Sequence, residues 1–105
     1  TLSLSTDHAR VGEEVGLHVT LRSTTPQPQP LVVDYAVHHV RANGNTSPKV
    51  FKGWKLTLEP HTGRTLDKRH SLRPVTTRQL YPGLHQIDLR INGQTCASAR
   101  FELLA

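Results

Sequence analysis

Hydrophobic residues recur at every second position along most of this 105-residue chain, and turn residues separate the alternating stretches. Alternation places successive side chains on opposite faces of a strand, so each stretch predicts a strand with one buried face. The clearest stretch is 15–21, and the others lie at 2–5, 31–42, 50–58, 64–72, 85–91 and 97–103. The pattern predicts an all-β, immunoglobulin- or fibronectin-III-like two-sheet sandwich of about seven antiparallel strands.

The residues between these stretches refine the prediction. Asn92-Gly93 is the strongest signal for a two-residue hairpin turn, and it joins the last two strands. Prolines at alternate positions within 24–30 predict a stiff loop that crosses between the sheets. The stretch 31–42 is predicted to be the longest strand. Lys52 falls on the apolar face of the next strand, so either a bulge at Gly53 shifts the register or the Lys52 stem extends to solvent.

Length and composition indicate one domain, residues 1–105, with a thin aliphatic core. No apolar run is long enough to span a membrane, and the first residues lack the features of a signal peptide. Cys96 is the only cysteine, which excludes the intersheet disulfide common in secreted domains of this class. We therefore expect a cytoplasmic protein. Because the chain opens on Thr1 without an initiator methionine, we also expect it to have been cut from a longer protein.

A search for catalytic chemistry finds no nucleophile–base pair, no paired acid and base, and no phosphate-binding loop. Seven histidines raise the question of a metal. His70 and His85 are predicted to face inward, but a four-ligand site needs further ligands, so core histidines hydrogen-bonded to backbone are the favoured interpretation. We expect no enzyme activity, no metal and no cofactor.

The charge is unevenly distributed. The net charge is +5, and residues 41–78 hold nine basic and two acidic residues, whereas the rest of the chain holds four basic and six acidic residues. A basic segment of this kind favours a polyanionic partner, and the alternative is a solvated surface without a partner.

Within this segment, cations alternate with an aromatic residue and lie near hydroxyl side chains, an arrangement that suits contact with a phosphate backbone. Alternation places Lys49, Phe51 and Lys55 on one face of their strand, and it places Arg69 and Arg73 outward on the next strand. The predicted nucleic-acid-binding residues are Lys49, Phe51, Lys52, Lys55, Lys68, Arg69, Arg73 and Arg78. In the alternative interpretation, Phe51 is buried and the lysines keep an edge strand soluble.

Several of these segments resemble the C-terminal domain of bacterial DNA alkylation repair proteins that carry an N-terminal solenoid of HEAT-like repeats. The resemblance covers roughly residues 10–103, and its most specific parts are 34–43 and 68–78. Further matching segments are 47–52, 81–83 and 91–93. The Gly53-Trp54 pair departs from the family pattern, in which the aromatic residue stands one position earlier.

The resemblance implies a non-catalytic accessory domain that assists DNA binding weakly, through phosphates, while any glycosylase activity belongs to the helical repeats. Its implied partners are DNA and the parent's own helical-repeat domain, and the oligomeric state stays open. One alternative is a protein-interaction or dimerisation module that docks on the helical repeats without contacting nucleic acid, through strand faces bearing Asp88, Arg90, Arg100 and Glu102. Another is an extracellular adhesion or carbohydrate-binding sandwich.

Overall fold

The computed structural model describes residues 1–74 and 80–104 and consists of β-strands joined by turns and loops. No helix able to cross a membrane occurs in this described part of the chain. Eight strands are present, and each predicted stretch corresponds to one of them. The strands are β1 (Leu2–Leu4), β2 (His8–Arg10), β3 (Glu14–Arg22), β4 (Gln29–Val40), β5 (Thr46–Leu58), β6 (Gly63–Ser71), β7 (Gly83–Ile91) and β8 (Gln94–Leu104).

The strands form two sheets, which confirms the predicted all-β sandwich. One sheet has three strands in the order β1-β3-β6, and the other has five in the order β2-β8-β7-β4-β5. Pro26 and Pro28 lie where the chain passes from β3 in the first sheet to β4 in the second, as expected, whereas Pro30 already belongs to β4 and pairs with Thr57. The eight strands are one more than the predicted number of about seven, because β2 is an additional strand, and it pairs with β8 in parallel. Ala9 is the only apolar residue of β2, and a single residue cannot show alternation.

A β-bulge interrupts the pairing of β4 with β5. Val33 pairs with Trp54 and Asp34 pairs with Lys52, so Gly53 is the extra residue on β5. A Cβ atom added at Gly53 would lie 2.6 Å from the carbonyl oxygen of Val33. The two atoms would overlap at that distance, so glycine, which has no Cβ, is the residue that fits here. The bulge interpretation of this segment is therefore correct. β5 has 13 residues and β4 has 12, so the prediction that the 31–42 stretch is the longest strand was wrong.

The interior consists of alternate residues from both sheets, as the period-two pattern predicts. Its largest fully buried side chains include Phe101, Leu17, Leu72, Ile87, Leu89 and Leu103. The β7–β8 hairpin turns on Asn92 and Gly93, with φ angles of 51° and 85°. Two consecutive positive φ angles are typical of a type I′ turn, which confirms the predicted hairpin.

The two lateral edges of the sandwich differ. We call the edge formed by β1, β2 and β8 the closed edge, because the chain crosses there from one sheet to the other and β2 pairs with β8. We call the edge formed by β5 and β6 the open edge. These two strands belong to different sheets, and no backbone hydrogen bond joins them among the described residues.

Candidate nucleic-acid interface

Three of the predicted binding residues meet at the Gly53 bulge on the open edge. Without a bulge, Lys52 and Lys55 would point to opposite faces, since they lie three positions apart. The extra residue restores a common face, because Lys52 pairs with Asp34 and Lys55 pairs with Val32, both on the outer side of the five-stranded sheet. The bulge thus accounts for Lys52, as one of the two predicted explanations has it, whereas the predicted placement of Lys55 on the same face as Phe51 was wrong.

Lys68 reaches the same bulge from the other sheet. It pairs with the buried Leu17 and so points inward from β6, toward β5. Its Nζ donates a hydrogen bond of 3.3 Å to the carbonyl oxygen of Lys52 and lies 5.9 Å from the ring centre of Trp54. The ammonium group of Lys68 therefore stands at the opening between the sheets, within reach of solvent.

Phe51 faces the interior and not the surface that the sequence analysis proposed. Its ring stacks on Tyr35 at a centroid distance of 5.4 Å and meets the His70 ring edge-on at 4.8 Å. The Tyr35 hydroxyl is hydrogen-bonded to Nδ1 of His70 at 3.1 Å, and burial raises the pKa of Tyr35. Lys49 Nζ lies 5.4 Å from the centre of the Phe51 ring, so Lys49 covers this cluster from the open edge.

The remaining candidates do not join this group. Arg69 lies on the outer face of the three-stranded sheet, with its Nη1 atom 4.0 Å from Oε1 of Glu14. Arg73 is exposed beyond the end of β6, where its backbone N–H donates to the Ser71 hydroxyl. Arg78 lies outside the described residues. The structure thus gathers Lys52, Lys55 and Lys68, with Lys49 further along β5, and separates Arg69 from them by the thickness of the sandwich.

A pocket of about 340 Å³ lies on the outer face at the bulge, and the sequence analysis did not predict it. Its lining residues come from β4 and β5: Val32, Asp34, Lys52, Gly53, Trp54 and Lys55. The only sequence signal was the glycine that breaks the alternation. The contribution of β4 could not be anticipated, because it depends on the strand register across the bulge.

The buried histidines have structural partners. His85 Nδ1 donates to the carbonyl oxygen of Gly83 at 3.1 Å, and His85 Nε2 accepts from the Val40 N–H at 3.5 Å. Because one ring nitrogen donates and the other accepts, the imidazole is neutral. Burial lowers the pKa of His85. Both His85 and His70 face inward, as predicted. No group of three or more His, Cys, Asp or Glu side chains suited to a metal ion occurs within residues 1–74 and 80–104.

The outer face of the five-stranded sheet also carries a polar network, centred on Asp88. The carboxylate accepts hydrogen bonds from His38 Nε2 at 2.6 Å, Ser98 Oγ at 2.7 Å and Gln86 Nε2 at 2.8 Å. Burial alone raises the pKa of Asp88, but the three hydrogen bonds and the nearby His38 outweigh it, and the net pKa is lowered. Asp88 was predicted as part of a protein interface, and here it organises its own neighbours.

Comparison with known proteins identifies the family. The family model described as "Uncharacterised protein YhaZ, C-terminal Ig-like domain" matches residues 1–105. The YhaZ protein of Bacillus subtilis (strain 168) is 29% identical over 75 residues, which are 71% of this chain and 21% of YhaZ. The alkylpurine DNA glycosylase AlkC of Pseudomonas fluorescens, solved bound to DNA containing an abasic site analog, is 38% identical with a TM-score of 0.96.

The match to AlkC covers 100% of this chain and 29% of the AlkC chain, so the chain spans less than a third of either relative. Two β-glucosidases also share the fold, at 15% identity. They come from Listeria innocua, with a TM-score of 0.79, and from Erythrobacter marinus, with a TM-score of 0.83. At that identity the likeness concerns the fold alone. The resemblance to bacterial DNA alkylation repair proteins is confirmed, and the chain belongs to the family of YhaZ C-terminal Ig-like domains.

Proposed function

We propose that this domain is a non-catalytic accessory domain of a DNA alkylation repair protein and that its open edge assists DNA binding. The observation that carries the proposal is the convergence of Lys52, Lys55 and Lys68 at the Gly53 bulge. The similarity to AlkC, whose structure was solved bound to DNA, supports it. Any glycosylase chemistry would belong to the part of the parent protein outside this chain.

The electrostatics of the open edge suit a phosphate backbone. Among the described residues, none of the four lysines of the open edge has a salt-bridge partner; these are Lys49, Lys52, Lys55 and Lys68. Arg69, on the outer face of the three-stranded sheet, lies near Glu14. Unpaired ammonium groups are free to replace the counterions of DNA, and the release of those counterions drives sequence-independent binding. The proposed contact set is Lys49, Lys52, Lys55 and Lys68.

The proposal predicts weak, salt-dependent binding to duplex DNA. Four phosphate contacts give a slope of roughly −3.6 in a plot of log affinity against log salt. The double variant Lys52→Ala/Lys55→Ala should reduce the magnitude of that slope by about 2. Fluorescence anisotropy with a labelled duplex at several salt concentrations measures both quantities.

The matched control is Arg22→Ala/Arg69→Ala, which removes the same charge from the outer face of the three-stranded sheet. This control should lose much less affinity than the lysine pair, because its side chains face away from the open edge. Equal losses in the two double variants, or no binding at low salt, would overturn the DNA role of the open edge.

One observation favours a second function, docking on the helical repeats of the parent. The three large exposed hydrophobic residues of the described chain, Val32, Val50 and Leu84, all lie on the outer face of the five-stranded sheet. Exposed apolar side chains confined to one face are typical of an interaction surface. Leu84→Asp should weaken association with the separately prepared helical-repeat domain in high salt, measured by calorimetry, and Arg69→Ala should not. Full association of the Leu84→Asp variant would contradict docking through this face.

A further inference from the structure

A second pocket on the outer face of the five-stranded sheet lies apart from the lysines of the open edge. It has a volume of about 320 Å³, at the lower end of the range of small-ligand sites. Its lining residues are His38, Thr46, Leu84, Gln86 and Arg100. Gln86 pairs with His38 on one side and with Arg100 on the other, so these side chains share one face. That face is the outer one, because His85 and Ile87, the neighbours of Gln86 along β7, are buried.

A hydrogen-bonded chain that begins at a buried carboxylate holds Arg100 in this pocket. Asp88 is 8% exposed and accepts a hydrogen bond of 2.8 Å from Nε2 of Gln86. Oε1 of Gln86 in turn accepts a hydrogen bond of 3.1 Å from Nε of Arg100. An exposed arginine ordinarily samples many side-chain conformations, and fixing one of them costs free energy on binding. Here the domain itself restrains the guanidinium, so less of that cost remains when a ligand arrives.

The terminal nitrogens of Arg100 are available to a ligand. The hydrogen bond to Gln86 uses Nε, and Arg100 has no salt-bridge partner among the described residues. A guanidinium binds a carboxylate through two parallel N–H groups, a geometry that a lysine ammonium cannot offer. Thr46 adds a hydroxyl donor to the same lining. The polar part of the pocket therefore suits a planar oxyanion.

The charge around the pocket favours a ligand with a single negative charge. Arg100 supplies one positive charge, whereas His38 already lies 2.6 Å from the carboxylate of Asp88. Glu102 pairs with Leu84 on the same face, although it is not part of the lining. A phosphate dianion would be repelled by Glu102 and Asp88, and a monocarboxylate needs only the charge of Arg100. A carboxylate therefore fits the site better than a phosphate.

Leu84, 53% exposed, adds apolar surface to the pocket. From these features we infer that the pocket binds a monocarboxylate carried on a small apolar group. The carboxylate accepts two hydrogen bonds from Arg100 and one from the Thr46 hydroxyl, and the apolar group packs on Leu84. A free organic acid and the C-terminal residue of a peptide both present this chemistry. The inference goes beyond the proposed DNA binding, since none of the lysines of the open edge takes part.

Nuclear magnetic resonance titrations of the isotopically labelled 105-residue chain test the inference. N-acetylleucine should shift the backbone amide signals of Leu84, Gln86 and Arg100 in a saturable manner. N-acetylleucinamide has the same apolar group without the charge and should leave these signals in place. Acetate should bind about fivefold more weakly than N-acetylleucine, because it lacks the isobutyl group. Equal responses to the acid and its amide, or tighter binding of inorganic phosphate than of N-acetylleucine, would overturn the inference.

Two variants with a matched control locate the binding. Arg100→Gln should weaken N-acetylleucine about tenfold, because charge-assisted hydrogen bonds are lost. Leu84→Ser should remove most of the preference for N-acetylleucine over acetate. Arg22→Gln removes the same charge at the end of β3 in the other sheet and should leave binding unchanged. Thermal unfolding verifies that each variant is folded, and equal losses in the two arginine variants would contradict binding at this pocket.

Peptides distinguish the two sources of the carboxylate. A tripeptide that ends in leucine with a free C-terminus should bind more tightly than N-acetylleucine if the ligand is a chain terminus, and more weakly if it is a free acid. The same tripeptide with an amidated C-terminus should not bind in either case, and its binding would contradict the inference. These titrations contain no DNA, so their outcome is independent of duplex binding at the open edge.

Discussion

The two lateral edges of this sandwich are built by different means. At the closed edge, the chain itself passes from β1 in one sheet to β2 in the other, and backbone groups hold β2 on β8. The Glu102 N–H donates to the Asp7 carbonyl oxygen at 2.8 Å, and the Val11 N–H donates to the Leu104 carbonyl oxygen at 3.1 Å, on either side of the β2–β8 pairing. At the open edge, side chains span the gap, through the Lys68 hydrogen bond to β5 and the contact between the Phe51 and His70 rings.

The closed edge therefore contributes mainly to the stability of the domain, and the open edge is the one that we propose for DNA binding. Backbone pairing at the closed edge satisfies its own polar groups and covers the apolar residues beneath it, which leaves little surface chemistry available. The open edge leaves strand β5 with one unpaired side, and charged side chains there also discourage pairing with other chains. The same lysines that protect the edge are the ones available to bind an anion.

The largest effect should follow from damage to the closed edge. Leu103 is fully buried on β8, where it pairs with Ala9 of β2. Leu103→Ala should lower the free energy of unfolding by about 2–5 kcal/mol, because it leaves a cavity in the core. Urea denaturation measures this loss. Leu84→Ala, at an exposed position, is the control, and a similar loss there would contradict the comparison.

The bulge should be the most sensitive point of the open edge. Gly53→Ala places a Cβ against the Val33 carbonyl oxygen and should cost about 1–3 kcal/mol as the backbone shifts. Gly63→Ala in β6 is a matched control, because its nearest contact, the Leu21 carbonyl oxygen, lies at an ordinary 3.6 Å. Urea denaturation of both variants tests this, and equal stability would show that the bulge tolerates a side chain.

The interior between the edges should respond to pH through His85. Burial holds the pKa of its ring below the ordinary value of 6.5, so the native ring stays neutral while the unfolded chain takes up a proton. Stability should therefore fall as the pH drops below about 6.5 toward the native pKa, since the unfolded state then binds more protons.

Unfolding free energies measured between about pH 7 and pH 5 test this dependence. His85→Gln should flatten the slope, and His61→Asn, at an exposed turn, should preserve it. An unchanged slope in the His85→Gln variant would assign the pH dependence to other groups.

The smallest effect on stability should come from Lys68, although it joins the two sheets. Lys68→Ala should cost less than about 1 kcal/mol, because one partly exposed hydrogen bond and one cation–ring contact are lost. Lys68→Met retains the stem and should be nearly as stable as the unchanged domain. Both variants should weaken DNA binding. Thermal unfolding gives the stabilities, and a loss as large as that of Leu103→Ala would erase the contrast between the edges.

Alternation predicted most of the fold because each long strand buries one face. It identified β3, β4, β6, β7 and β8 with their inward residues, and the Asn92-Gly93 turn fixed the last hairpin. It missed β2, because a three-residue strand held by pairing to β8 shows no period of its own.

The binding residues were harder to place. Lys52, Lys55 and Lys68 are close in the sequence and also lie close together at the Gly53 bulge, because the turn between β5 and β6 brings those strands together. It misplaced Phe51, since alternation counted through Gly53 assigns the wrong face on one side of a bulge. Neither Val32 nor Asp34 carried a signal, because register between distant strands decides which residues become neighbours.

The hairpin turn has a consequence for β4. Asn92 N–H donates to the Val32 carbonyl oxygen at 2.9 Å, and the Val32 N–H donates to Oδ1 of Asn92, also at 2.9 Å. The turn thus binds the main chain of Val32 through two hydrogen bonds, one from the Asn92 backbone and one to the Asn92 side chain. A ligand arriving beside Val32 meets a surface that is already rigid, so little conformational freedom remains to be lost on contact.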